Sequence, residues 1–121
     1  MTMKIGTMPE QGDILLIPVP FTDLSSQKQR PVIVISNNAY NRKTGDIVVA
    51  AMTSNPASVD YSFTITSSDT KKGSLNRPGR IRVDKIYTLS KSIVAKTFGR
   101  VSDETMDRIR TTLQELIAPK T

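Results

Sequence analysis

A small, mainly β domain, either a barrel or a sandwich with one C-terminal helix, is the fold this sequence predicts, on three observations. Six short runs of strand character are separated by turns rich in Gly, Pro, Asn and Ser. The last part of the chain changes period: Met106, Ile109, Leu113, Leu116 and Ile117 fall on one helical face. A length of 121 residues is enough for one ordinary core and too short for two, so residues 1–121 are read as a single domain with residues 1–11 as an N-terminal tail.

The first strand is the apolar run Asp13-Ile14-Leu15-Leu16-Ile17-Pro18 after a glycine, which Pro18 and Pro20 are expected to end. Residues 19 to 30 turn polar and basic. The second strand, Val32-Ile33-Val34-Ile35, is β-branched and opens on Pro31, a tolerated first residue. The loop of roughly ten residues between these strands exceeds a common hairpin connection, and long loops on a rigid scaffold often carry function. Asn37 to Asp46 reads as a turn, and Ile47 to Met52 as a third buried strand ending at Thr53-Ser54-Asn55-Pro56. Tyr61 to Thr66 alternates large and small polar residues, as a half-buried strand does. Thr66 to Gly79 reads as a mobile basic loop, and Arg80 to Leu89 and Ile93 to Val101 as two further strands. Ser102 caps the helix, Asp103 and Glu104 sit in its first turn, and Pro119 stops it. No repeat, low-complexity tract or linker is visible.

The formal charge of +6 is unevenly placed. Between Leu24 and Lys85 ten Lys or Arg stand against four acids, whereas seven basic and seven acidic residues balance elsewhere. One part of the surface is therefore expected to be cationic and suited to a phosphate backbone or an acidic protein. Residues 1–11 lack the basic and apolar segments of a secretory signal, no apolar run spans a membrane, and cysteine is absent, so a cytoplasmic protein without disulfides is expected.

The sequence contains no His and no Cys, which removes Ser-His triads, thiol nucleophiles, zinc sites and paired-histidine RNA cleavage. No phosphate-binding glycine motif is present, and the acids are scattered apart from Asp103, Glu104 and Asp107, which suit a helix dipole; no metal and no cofactor are expected. RNA leaves a route open because its own 2′-hydroxyl can attack the adjacent phosphate. Such a reaction needs a base, an acid and groups that stabilise the phosphorane charge, which Asp, Arg, Thr and Ser can supply. Strand alternation puts Arg80, Arg82 and Asp84 on one face, either as a phosphate site or as a solvated face with a local ion pair. Arg30, Thr53 and Ser54 stand at strand ends, where they are also ordinary residues. Tyr40, Tyr61, Phe63 and Tyr87 either stack on bases or belong to the core.

Taken in order, several segments resemble the MazF/PemK family of toxin endoribonucleases. They are Gly12-Asp13-Ile14, Pro20-Phe21-Thr22-Asp23, Lys28-Gln29-Arg30-Pro31 leading into Val32 to Ser36, Ala51-Met52-Thr53-Ser54, Arg82-Val83-Asp84-Lys85-Ile86-Tyr87-Thr88, and Gly99 to Glu104. The resemblance covers nearly the whole chain. It implies an SH3-like β-barrel with a C-terminal helix and a homodimer. It further implies metal-independent, sequence-specific cleavage of single-stranded RNA to 2′,3′-cyclic phosphate and 5′-hydroxyl ends. An acidic cognate antitoxin that covers the RNA site is implied too, together with DNA binding by the toxin–antitoxin complex. Arg30 and Thr53 fall on the usual catalytic pair, and Arg82 with Asp84 on an Arg-x-Asp of the PemK-like members. The roles implied are Asp84 as base, Arg82 as acid or charge stabiliser, Arg30 as phosphate clamp, and Thr53 with Ser54 as hydroxyl donors. Gln27, Lys28, Lys71, Lys72, Arg77 and Arg80 are expected to contact RNA. The chain departs from the family at Ser25-Ser26-Gln27-Lys28-Gln29, where many relatives carry Glu-Gln followed by glycines. Two other readings fit the same fold: a non-catalytic RNA-binding barrel, and a toxin that inhibits DNA gyrase.

Overall fold

The computed structural model describes residues 8–19 and 28–121. Among these are seven strands: β1 (Asp13–Val19), β2 (Lys28–Val34), β3 (Asp46–Thr53), β4 (Ser62–Ile65), β5 (Thr70–Gly73), β6 (Gly79–Ser90) and β7 (Lys96–Val101). Two helices, α1 (Asn38–Lys43) and α2 (Asp103–Ile117), complete the fold. The strands form one antiparallel sheet in the order β4-β6-β3-β2-β1-β7-β5, curled into a half barrel.

The central strands are buried on both faces, so they read as continuous apolar runs rather than as alternation. On one face Ile14, Ile33, Ala50 and Met52 join Phe63, Ile65, Ile81 and Val83. There α2 seals the cluster with Met106 and Ile109. The other face collects Leu15, Ile17, Val32, Val34, Ile47 and Val49, with Leu89, Ile93 and Val94 packed against them. The α2 helix begins as its residue types require. Ser102 Oγ accepts a hydrogen bond from the Thr105 N–H at 3.1 Å, and Asp103 and Glu104 meet the positive end of the dipole. Arg108 lies 4.2 Å above the Phe63 ring and ties the helix to β4.

Asp13 fastens β1 to β7. Its buried carboxylate accepts from Arg100 Nε at 2.7 Å across a separation of 87 residues, while its second oxygen accepts from the Glu10 N–H at 2.9 Å. Of the expected tail, residues 1–7 lie outside the described residues. Gln11 Nε2 donates to the Ile35 carbonyl at 2.8 Å.

Four details correct the sequence expectations. The stretch expected to be a mobile loop, Thr66 to Gly79, holds a turn of 3-10 helix and the strand β5, making seven strands rather than six. Asn37 to Asp46 is not a plain turn: Asn37 caps α1, and Asn41 is fully buried against Ser36. Pro18 does not end β1, which continues to Val19. Pro31 lies inside β2 rather than at its start, and the β2–β3 ladder begins only at Val32, so the missing N–H costs no bond there.

β5 pairs with β7 through a close approach at Gly73, whose φ is +73°. A Cβ on Gly73 would stand 2.3 Å from the Phe98 carbonyl oxygen. Gly73→Ala is therefore expected to destabilise the fold by about 1–3 kcal/mol through backbone strain, read as a lower urea midpoint at constant m. An unchanged midpoint would show that β5 does not hold this pairing in solution.

Candidate nucleic-acid interface

The groove that could receive a polymer lies on the face of the second apolar cluster. It encloses about 960 Å³, with Ile17 and Val32 on its floor and Arg30, Thr53, Arg82 and Lys85 among its polar lining. A second hollow of about 320 Å³ adjoins it and shares Arg30, Pro31, Met52 and Thr53. Arg30 and Thr53 thus stand where the two hollows meet.

The register explains this meeting. Val32 pairs with Ala51, and two further steps along each strand bring Arg30 level with Thr53. Thr53 in turn pairs with Arg80, and Ala51 with Arg82, so Arg30, Thr53 and Arg80 are level across three neighbouring strands. Thr53 Oγ1 accepts from the Asn55 N–H at 3.1 Å, which occupies a lone pair and leaves the hydroxyl proton to donate.

A bulge in β6 shapes the rest. Ala50 pairs with Ile86 and Ala51 with Arg82, so Val83, Asp84 and Lys85 are three extra residues opposite one step of β3. The odd number inverts the alternation of β6. Arg80 and Arg82 before the bulge, and Tyr87 and Leu89 after it, consequently line the same groove. Arg82 holds Asp84 in a two-pronged ion pair, Nε to Oδ1 at 2.8 Å and Nη2 to Oδ2 at 2.7 Å. The hydrogen bond from Arg82 keeps the Asp84 carboxyl below the usual carboxylate range, and the same bond raises Arg82. Arg82 is part of the groove lining, whereas its partly exposed partner Asp84 is not.

The remaining expected residues divide. Ser54 and Arg77 line the second hollow. Arg80 lines the main groove, but its guanidinium is directed to protein, donating to Ser62 Oγ at 3.1 Å. Lys71 sits on β5 at the far edge of the sheet, with its ammonium 2.6 Å from Asp103, and Lys72 shares that strand; neither lines either hollow. Gln27, with the loop residues Ser25 and Ser26, falls outside the described residues, as does the side chain of Lys28. Sequence reasoning missed Asn55 and Lys85, both of which line the groove. Lys85 was visible as one charge of the basic stretch, but the bulge that presents it depends on strand pairing. Among the described residues no three His, Cys, Asp or Glu side chains gather as a metal site, and no helix is long and apolar enough to cross a membrane.

An apolar floor with a cationic rim suits a single-stranded nucleic acid, whose bases bury flat faces while its phosphates meet guanidinium and ammonium groups. Comparison with known proteins points the same way. Residues 10–117 match the family described as PemK-like, MazF-like toxin of type II toxin-antitoxin system. Endoribonuclease MazF4 of Mycobacterium tuberculosis is 32% identical over 84 residues, covering 69% of this chain and 74% of that protein. Endoribonuclease MazF1 of Mycobacterium bovis gives the same identity and coverage. Among solved structures, an endoribonuclease in complex with its cognate antitoxin from a mycobacterial species superposes with a TM-score of 0.75 at 26% identity, over 93% of this chain and 99% of that one. A MazE–MazF complex from Deinococcus radiodurans shares the fold, with a TM-score of 0.74 at 21% identity, over 92% of this chain and 97% of that one.

Proposed function

The chain belongs to the PemK-like, MazF-like toxin family of type II toxin-antitoxin systems, and on that basis we propose that it is an endoribonuclease cutting single-stranded RNA in the groove between β2, β3 and β6. The observation that carries this reading is the convergence of Arg30, Thr53 and Arg82 on one groove, with Asp84 ion-paired to Arg82 beside it.

The chemistry follows from these groups. The RNA 2′-oxygen forms a bond to the adjacent phosphorus as its proton passes to Asp84, and the bond from phosphorus to the 5′-oxygen breaks as that oxygen takes a proton from Arg82 or from water that it orients. The products are a 2′,3′-cyclic phosphate and a 5′-hydroxyl. Arg30 clamps the non-bridging oxygens, and the hydroxyls of Thr53 and Ser54 donate to the charge that builds on the phosphorane. Paired with Arg82, Asp84 is a weak base. A phosphate that draws the guanidinium forward releases the carboxylate as substrate arrives, which couples binding to base activation.

Because a solved structure 26% identical to this chain is a complex with its cognate antitoxin, an acidic cognate antitoxin is the partner proposed for this basic surface, and the protein is further proposed to act as a cytoplasmic homodimer. Incubation of the purified protein with a long single-stranded RNA in EDTA, followed by sequencing and end analysis of the fragments, tests the reading. Cyclic-phosphate and 5′-hydroxyl ends at a short recurring sequence are expected. A requirement for magnesium, or 5′-phosphate ends, would sink the mechanism.

A further inference from the structure

We propose that Arg80 is a positioning residue: it braces the loop of residues 54–61, and this loop is the groove wall that reads a base beside the cut. The proposal rests on the endoribonuclease reading and deepens it.

Arg80 lies on β6 between Thr53 of β3 and Thr64 of β4. Its Nη1 donates to Ser62 Oγ at 3.1 Å, and its Nη2 reaches the Pro56 carbonyl at 3.5 Å. Ser62 Oγ donates onward to the Val59 carbonyl at 2.5 Å. One guanidinium therefore holds both ends of the loop. Its Nε is buried without a hydrogen-bond partner among the described residues, so the head group is committed to the wall rather than offered whole to a phosphate. The other bonds of the segment are local turns at Asn55 and Ala57 and one backbone bond from Val83 N–H to the Tyr61 carbonyl at 3.0 Å, while residues 54–58 are exposed and contribute nothing to either apolar cluster.

The loop presents Asn55, Ala57 and Val59 to the groove. Asn55 Oδ1 accepts from the Ala57 N–H at 2.9 Å, so the amide NH2 is the end of Asn55 presented outward. A base with an acceptor on its exposed edge is the matching ligand, with Ala57 and Val59 supplying contact to its ring.

Wild type, Arg80→Ala and Ser62→Ala are compared by hydrogen exchange over residues 54–61, by sequencing of RNA ends, and by the salt dependence of RNA affinity. Ser62→Ala cuts the relay without changing charge and serves if Arg80→Ala does not fold. Both variants are expected to exchange faster in the loop and to relax the base preference beside the cut about fivefold, the worth of one hydrogen bond, with the salt slope unchanged. A salt slope reduced by about 1 in Arg80→Ala with Ser62→Ala silent would make Arg80 a phosphate ligand and overturn the proposal. If wild type cuts no RNA, the endoribonuclease reading fails on its own, while unchanged exchange in the loop separately overturns the brace.

Discussion

Arg30→Ala is expected to lower RNA cleavage by about 10²- to 10³-fold, the loss typical when one preorganised donor to a developing oxyanion is removed. The reason lies in its position. Arg30 is level with Thr53 and borders both hollows, so a phosphate bridging them meets its guanidinium whichever way the strand runs. It is exposed, and its pairing with Ile17 of β1 is made by the backbone, so the β1–β2 ladder should survive the substitution. Initial rates on a fluorogenic single-stranded RNA, with thermal melts of both proteins, check this. A loss below tenfold, or a lowered melting temperature that accounts for the loss, would remove Arg30 from the clamp.

Asp84→Asn is expected to cost about 10²- to 10⁴-fold, the usual worth of a general base. The amide keeps one oxygen to accept from Arg82 and sets an NH2 against the second guanidinium N–H, so one prong of the pair is lost together with the proton acceptor. The sign of the pH effect is fixed by the pair. The Arg82 hydrogen bond holds Asp84 below its ordinary value and keeps the carboxylate charged, so the acid limb of the free enzyme is expected at lower pH than for an unpaired aspartate. Arg82→Gln removes that hold and should move the acid limb to higher pH, as well as slowing the reaction. By the same linkage, the stability the pair contributes is present above the unfolded value of about 3.9 and fades as pH falls through the lowered native one. An acid limb that stays in place in Arg82→Gln would rule out Asp84 as the titrating base.

Much of the fold could be read from residue types, for reasons that differ by element. β1, β2 and β3 announce themselves because both of their faces are buried, which leaves no polar positions to interrupt the run. The α2 helix is legible because its cap, its acidic first turn and its apolar stripe agree. β5 was not legible: Lys71 and Lys72 have no apolar period, and the strand is defined by its pairing with β7, which comes closest at Gly73. Short α1 was hidden too, since its anchor is a buried Asn41 satisfied by Ser36 rather than an apolar face. Within the site, strand parity was enough to place Arg80 and Arg82 together, and resemblance pointed to Arg30 and Thr53. Tyr87 on the same groove, Lys85 in the bulge and the inward turn of Arg80 all depend on pairings between distant residues. No local pattern encodes these.

The position of β1 has a kinetic consequence. It gains its second neighbour only when β7 arrives, and the Asp13–Arg100 clamp then closes a loop of 87 residues. The strands that carry the groove, β2, β3 and β6, leave the ribosome earlier, yet their floor stays half-built until β1 is held from both sides and α2 covers the opposite face. Such non-local pairing places folding in the range of about milliseconds to seconds. Cutting activity should thus switch on as a late, all-or-none event of synthesis, leaving an interval in which the growing chain is harmless to the RNA around it.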